Sequence, residues 1–313
     1  MFRHIFYSCA AVAVFAAVLF LWCRFWRGAL NDSLPPGALD DYLPRDTAAV
    51  IGLDLKDLRD KGLLEKPLGK ALHDALTTED VGLPFALLGV DPAADIDGLQ
   101  LAFSAGDQIR PLVLLRGRFD RARFQTGPGQ LEELREDGFR LYRYTGAGRN
   151  TTLALAGDTL VVSVVRPRVL AALSHAARTG PAGLDDDRLK EILDKVDRTK
   201  AIWLAADLKR LGRPPPMALG EAQLRPVFDL AASAAGGLTY GDQLLVELVF
   251  VGRGKVQAEK LEEHSNDVVT LLRSARDLHL PLPIPTEYRP LFLLFAGAKV
   301  ERQGDTVTLR SRQ

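Results

Sequence analysis

The chain has 313 residues, 47% of them hydrophobic, and its 40 basic side chains are matched by 40 acidic ones. That balance supplies no net charge for holding nucleic acid or an anionic surface. Both cysteines, Cys9 and Cys23, lie in one apolar run near the N-terminus. This excludes disulfides, a thiol nucleophile and sulfur-ligated zinc from the rest of the chain.

That run, Ile5 to Cys23, is 19 residues without a charge. As a helix it reaches about 28 Å, enough to cross a bilayer's hydrocarbon layer. Its nine Ile, Leu, Phe and Val side chains favour insertion by about 3–5 kcal/mol together. Trp22, Phe25 and Trp26 beside Arg24 and Arg27 have the make-up of an interfacial belt. A cleaved signal peptide is the competing reading, since Arg3 precedes the run. The run exceeds a usual signal core, no A-x-A site follows it, and bulky Trp22 spoils a lipoprotein box at Cys23. The expectation is a retained single-pass anchor, with a short cytoplasmic tail and the body on the extracytoplasmic side. Positive charges nearly balance across the run, so this orientation follows from the four-residue lead alone.

Residues 28–44 mix Pro, Gly and Asp without periodicity and read as a linker. Beyond it, 45–197 and 198–313 read as two tandem α+β repeats. In the first, Ala48 to Leu53 is a strand, Leu55 to Leu76 a helix interrupted at Gly62 and Pro67, and Leu99 to Phe103 an alternating strand. Gly106-Asp107 turns the chain into Leu112 to Leu115. A helix is expected over Asp120 to Leu134, strands over Leu141–Tyr144, Thr152–Ala156 and Leu160–Val165, and a helix from Pro167 to Gly180. A further helix, about Asp185 to Val196, leads to the second repeat. There the expected order is a strand at Ala201–Ala206, a helix at Glu221–Ala234, strands flanking Gly241-Asp242, a helix at Lys255–Leu278, and strands at Leu291–Ala296 and Thr306–Leu309. Hairpins outnumber crossovers, so the sheets should be largely antiparallel with helices packed on one face.

Three patterns support the duplication. Arg45-Asp46-Thr47-Ala48 through Asp54-Leu55-Lys56-Asp57-Leu58 returns as Arg198-Thr199-Lys200-Ala201 through Asp207-Leu208-Lys209-Arg210-Leu211. Gly106-Asp107-Gln108, eight residues, Gly117-Arg118 returns as Gly241-Asp242-Gln243, eight residues, Gly252-Arg253. Gly157-Asp158-Thr159 returns as Gly304-Asp305-Thr306. The offsets of 153, 135 and 147 residues differ as loop insertions would.

The chain yields no catalytic, cofactor or metal residues by motif. Asp54 and Asp207 sit where helix N-caps are needed, and Asp107, Asp158, Asp242 and Asp305 follow glycines in turns. Asp91, Asp95 and Asp97 lack the spacing of a calcium loop, and Asp185-Asp186-Asp187 suits a helix start. His73, His175, His264 and His279 show no i, i+4 pairing for zinc. No G-x-S-x-G elbow surrounds Ser104, Ser163, Ser174, Ser233, Ser265 or Ser274. Gly252-Arg253-Gly254-Lys255 fails as a phosphate loop because Val249 and Val256 stand at its required Gly and Ser/Thr places. The arginines from Arg110 to Arg149 are interspersed with Glu132, Glu133, Glu136 and Asp137, which makes an ordinary charged face.

The anchor, Leu43-Pro44-Arg45-Asp46-Thr47-Ala48-Ala49-Val50, Leu88-Gly89-Val90-Asp91-Pro92 with Asp95-Ile96-Asp97, and Gly117-Arg118-Phe119-Asp120 together resemble uncharacterised exported or membrane-anchored bacterial proteins built from repeated α+β modules. The resemblance implies a cell-envelope location and carries over no catalytic residues. The resulting expectation is a membrane-tethered, non-enzymatic binding or structural module with a protein or envelope partner and no nucleic acid. The alternatives are an apolar-ligand carrier, or a hydrolase whose residues, such as Asp54 with His73 or Asp207 with His264, converge only on folding.

Overall fold

The computed structural model describes residues 38–62, 85–105, 107–126, 131–146, 149–179, 187–212, 221–239, 243–277 and 295–312. The run Ile5 to Cys23 lies outside them; among the described residues no helix is long and apolar enough to cross a membrane. The fold is α+β, built on antiparallel ladders, and it divides into two compact units at Lys190 and Glu191.

The first unit opens with a 3-10 turn, Leu39–Tyr42, and then β1 (Thr47–Asp54). The turn belongs to the body, although residues through Pro44 read as linker: Leu39, Tyr42 and Leu43 are buried, and the turn packs against β3 (Asp107–Gly117) and helix α4 (Arg166–Thr179). Helix α1 (Leu55–Asp60) stops at Gly62, whose φ of +63° ends the turn. The rest of the helix expected through Leu76 lies outside the described residues. Two short helices, α2 (Phe85–Leu88) and α3 (Pro92–Asp95), lead to β2 (Ile96–Ser104), which pairs with β3 (Asp107–Gly117) as the expected hairpin.

The helix expected over Asp120 to Leu134 is not formed. Asp120 caps a 3-10 turn, Arg121–Arg123, and Leu131–Glu136 is strand β4. It joins β5 (Phe139–Gly146) through Asp137 (φ 51°) and Gly138 (φ 81°), the backbone of a two-residue hairpin turn. The Glu-rich composition favours a helix locally, but pairing Leu131 with Tyr144 and Leu134 with Leu141 overrides it. Its charges suit the edge position that β4 takes, because they oppose pairing with a second chain. Then β6 (Arg149–Ala156) and β7 (Thr159–Ser163) complete the order β1-β2-β3-β7-β6-β5-β4. The central strands of this sheet are buried on both faces, not one: Leu112, Val113, Leu114 and Leu115 of β3 point alternately to the two faces, and all four are buried. Such continuous apolar runs mark a sheet covered on both sides.

Helix α5 (Asp187–Leu193) spans the boundary between units. In the second unit β8 (Ile202–Asp207) runs into α6 (Leu208–Leu211), and α7 (Glu221–Leu230) precedes β9 (Ala231–Thr239). Sequence reading carries that helix on to Ala234; the structure ends it four residues earlier. Ala231 to Ala235 are good helix formers, yet β9 lies between β8 and β10 (Leu245–Gly252). A Cβ at Gly236 would collide with the Glu247 carbonyl, so this crowded strand needs small residues. Helix α8 (Lys255–Asp277) covers β9, β10 and the two strands that follow it with Ala258, Leu261, Val268, Val269 and Leu272. The last strands are β11 (Lys299–Gln303) and β12 (Thr306–Arg312), in the order β8-β9-β10-β12-β11. Of the strand expected over Leu291–Ala296, residues 291–294 lie outside the described residues; Phe295 and Ala296 form a helical turn, and β11 pairs from Lys299.

Candidate functional site

The acids singled out in the sequence are engaged with the backbone. Asp54 ends β1, and its Oδ1 accepts the Asp57 N–H at 2.7 Å. Asp207 ends β8 fully buried, with Oδ1 accepting the N–H groups of Lys209 (3.0 Å) and Arg210 (3.2 Å). Each therefore satisfies donors that a helix start leaves open. Asp91 Oδ1 accepts from Ala93 and Ala94, while Asp95 returns an oxygen to the Asp91 N–H at 2.9 Å. Asp97 pairs with Arg59 at 2.5 Å, and Arg59 also donates to the Ala93 and Ile96 carbonyls. Among the described residues no three His, Cys, Asp or Glu side chains are grouped to hold a metal ion.

The turn acids act partly through their carbonyls. Asp158 C=O accepts the Gly117 N–H at 3.0 Å, and Asp305 C=O accepts the Gly252 N–H at 2.7 Å. Asp187 starts α5. The side chain of Asp107, and Asp185, Asp186 and Asp242 altogether, lie outside the described residues, as do His73 and His279. His175 is buried in α4, and Ser163 donates to the Pro111 carbonyl while accepting the Val165 N–H. Arg253 of the false phosphate loop donates instead to the carbonyls of Phe228 (2.8 Å) and Ala231 (3.3 Å).

Asp207 and His264 are not brought together. By register Asp207 shares a sheet face with Ser233 and Val251, whereas α8 covers the other face, where Gly252 meets Ala258. The Arg110–Arg149 stretch is laced with ion pairs: Arg143 with Glu132, and Arg140 with Glu133 at 3.2 Å. Arg166 of α4 joins Glu136 at 3.3 Å. The three glutamates of β4 are thus each paired with an arginine.

Two polar arrangements escaped the sequence reading because their members are far apart in the chain. In the first unit, Tyr42 is 1% exposed, and burial, then the nearby Asp158 and Asp41 carboxylates, push its phenol up to about 12. Gln100 donates to Asp40 at 3.1 Å beside it. In the second unit, Lys200 and Arg310 donate to the two oxygens of Glu247 at 2.8 and 2.7 Å. Those hydrogen bonds, Lys200 first, hold the Glu247 carboxyl below its ordinary range. The Lys200 side chain also lies across Gly237, where a Cβ would not fit. Both groups tie distant segments to a sheet, and in the second unit two cations neutralise the Glu247 carboxylate.

No family model matches the chain, and no curated protein matches it. Among solved structures it is similar to crystal form I of TP0453, at 11% identity and a TM-score of 0.43 over 90% of this chain and 93% of that one. It is likewise similar to crystal form III of TP0453, at 11% identity and a TM-score of 0.49 over 90% and 94%.

Proposed function

We propose that the chain is a membrane-tethered, non-enzymatic module of the bacterial cell envelope, held by Ile5 to Cys23, whose duplicated α+β body binds a protein or envelope component. The observation that carries this reading is the use made of the acids. Asp54, Asp91, Asp120 and Asp207 each accept backbone N–H groups at a helix or 3-10 start, so their lone pairs serve the fold.

The duplication is supported by corners that match bond for bond. Arg118 N–H donates to Asp95 C=O, the residue before β2, and Arg253 N–H donates to Leu230 C=O, the residue before β9. Each arginine's guanidinium reaches the end of the preceding helix, at Ala94 and at Phe228. The N–H of the glycine before each arginine donates to the equivalent turn carbonyl, Asp158 or Asp305. The strand orders β1-β2-β3-β7-β6 and β8-β9-β10-β12-β11 also correspond, first-second-third-last-penultimate. On this reading the β4–β5 hairpin is an insertion in the first copy, and α8 takes its place in the chain order of the second.

Crosslinking the full-length chain in intact cells tests the proposal. A discrete crosslinked protein or envelope species is expected, retained when Asp54 and Asp207 are replaced by Asn. A chain that crosslinks to nothing, or that co-purifies with a stoichiometric lipid lost on delipidation, would replace this reading with the carrier alternative or none.

A further inference from the structure

Helix α8 carries a histidine on the margin of its buried stripe. His264 lies three residues after Leu261 and four before Val268, both buried against the sheet, and next to buried Ser265. Its Nε2 is shut off from solvent and has no hydrogen-bond partner among the described residues. A neutral imidazole can leave that nitrogen as an unmet acceptor at moderate cost. A protonated one would bury an N–H donor and a charge, which costs more.

The charged surroundings offer little relief. On its own helix, Asp267 is one turn away and exposed, with Lys260 and Glu263 exposed on either side. On the sheet face beneath α8, Arg302 of β11 is already taken by Glu262 at 2.7 Å and Glu259 at 3.8 Å. Glu247 and Arg310 project from the opposite face of β10 and β12, and β9 presents only uncharged residues. From α7, Asp229 is exposed.

We propose that α8 is a pH-sensitive element, in which protonation of His264 loosens the helix from the sheet of the second unit and uncovers its apolar stripe. Burial holds the imidazole below its ordinary 6.5, opposed in part by Asp267. The seated helix therefore favours the neutral form and the loosened helix takes up the proton more readily. Stabilisation is full above about pH 6.5 and is lost as pH falls through that value towards the lower one. For an imidazole that stays neutral while seated, opening would rise about tenfold one pH unit below 6.5, and that is the ceiling.

Hydrogen exchange of the full-length chain in detergent micelles, at pH 7.5 and 5.5 and corrected for intrinsic rates, reads this directly. Amides over 258–272 are expected to exchange several-fold faster at pH 5.5, up to about tenfold, while α4 amides hold constant. His264→Leu should abolish the response, and His264→Gln, also non-titrating, serves if the leucine variant does not fold. No acceleration in the wild type, the same acceleration in either variant, or equal acceleration in α4 would overturn the proposal.

Discussion

Replacing Asp207 by Ala removes the acceptor for two backbone N–H groups in a site with no solvent exposure. An N-cap deletion costs about 0.5–2 kcal/mol, and leaving buried donors unmet costs about 1–3 kcal/mol. The buried setting points to the upper part of that range, about 2–3 kcal/mol. Asp54→Ala loses one acceptor contact at a part-exposed site and should cost about 1 kcal/mol. Asp207→Asn keeps an amide oxygen in place and should cost less than about 1 kcal/mol. Trp203 is buried on β8 four residues before Asp207, so the change in its fluorescence with urea reports on the second unit; Trp22 and Trp26 lie outside the described residues. With a urea slope of about 1–2 kcal/mol/M, the Ala variant's midpoint should fall by about 1–3 M. An unmoved midpoint, or an Asn variant as unstable as the Ala one, would refute the capping argument. The second result would show that the negative charge has another role.

Gly117→Ala should destabilise the first unit by about 1–3 kcal/mol, read by hydrogen exchange of the β2 and β3 amides, because the new Cβ meets the backbone carbonyl of Asp95. Glu247→Gln should lower the second unit's stability at pH 7. The held-down carboxylate stabilises above its ordinary value of 4.5 and loses that contribution as pH falls through its lowered one, so wild type and variant should converge in acid. In an ultraviolet titration of ionisation, one tyrosine should remain protonated until about pH 12, and Tyr42→Phe should remove that late step alone.

The parts of the fold legible in the sequence were those fixed locally. Asp54 and Asp207 were readable as caps because a carboxylate between an apolar strand and an apolar helix start has one common use. The Gly106-Asp107 and Gly304-Asp305 corners were readable because each sits between alternating strands. The misread segments are those where a partner strand decides. Leu131–Glu136 has helical composition, and Asp137-Gly138, the strongest short hairpin signal nearby, was the clue that could have corrected it. Ala231–Ala235 is strand because β8 and β10 flank it, and the clue was the following Gly236-Gly237. Leu39 to Leu43 read as linker, and the clue was the pair Tyr42-Leu43, too apolar to leave in water. The Lys200–Glu247–Arg310 group joins residues up to 110 positions apart in the chain, and only the strand register brings them together.

In the proposed tether, Ile5 to Cys23 stays in the bilayer and carries the folded body. Carbonate extraction of membranes, followed by intact-mass measurement of the recovered chain, decides it. A carbonate-resistant chain that retains Met1 or begins immediately after it is expected. A carbonate-soluble chain starting beyond Cys23 would refute the tether.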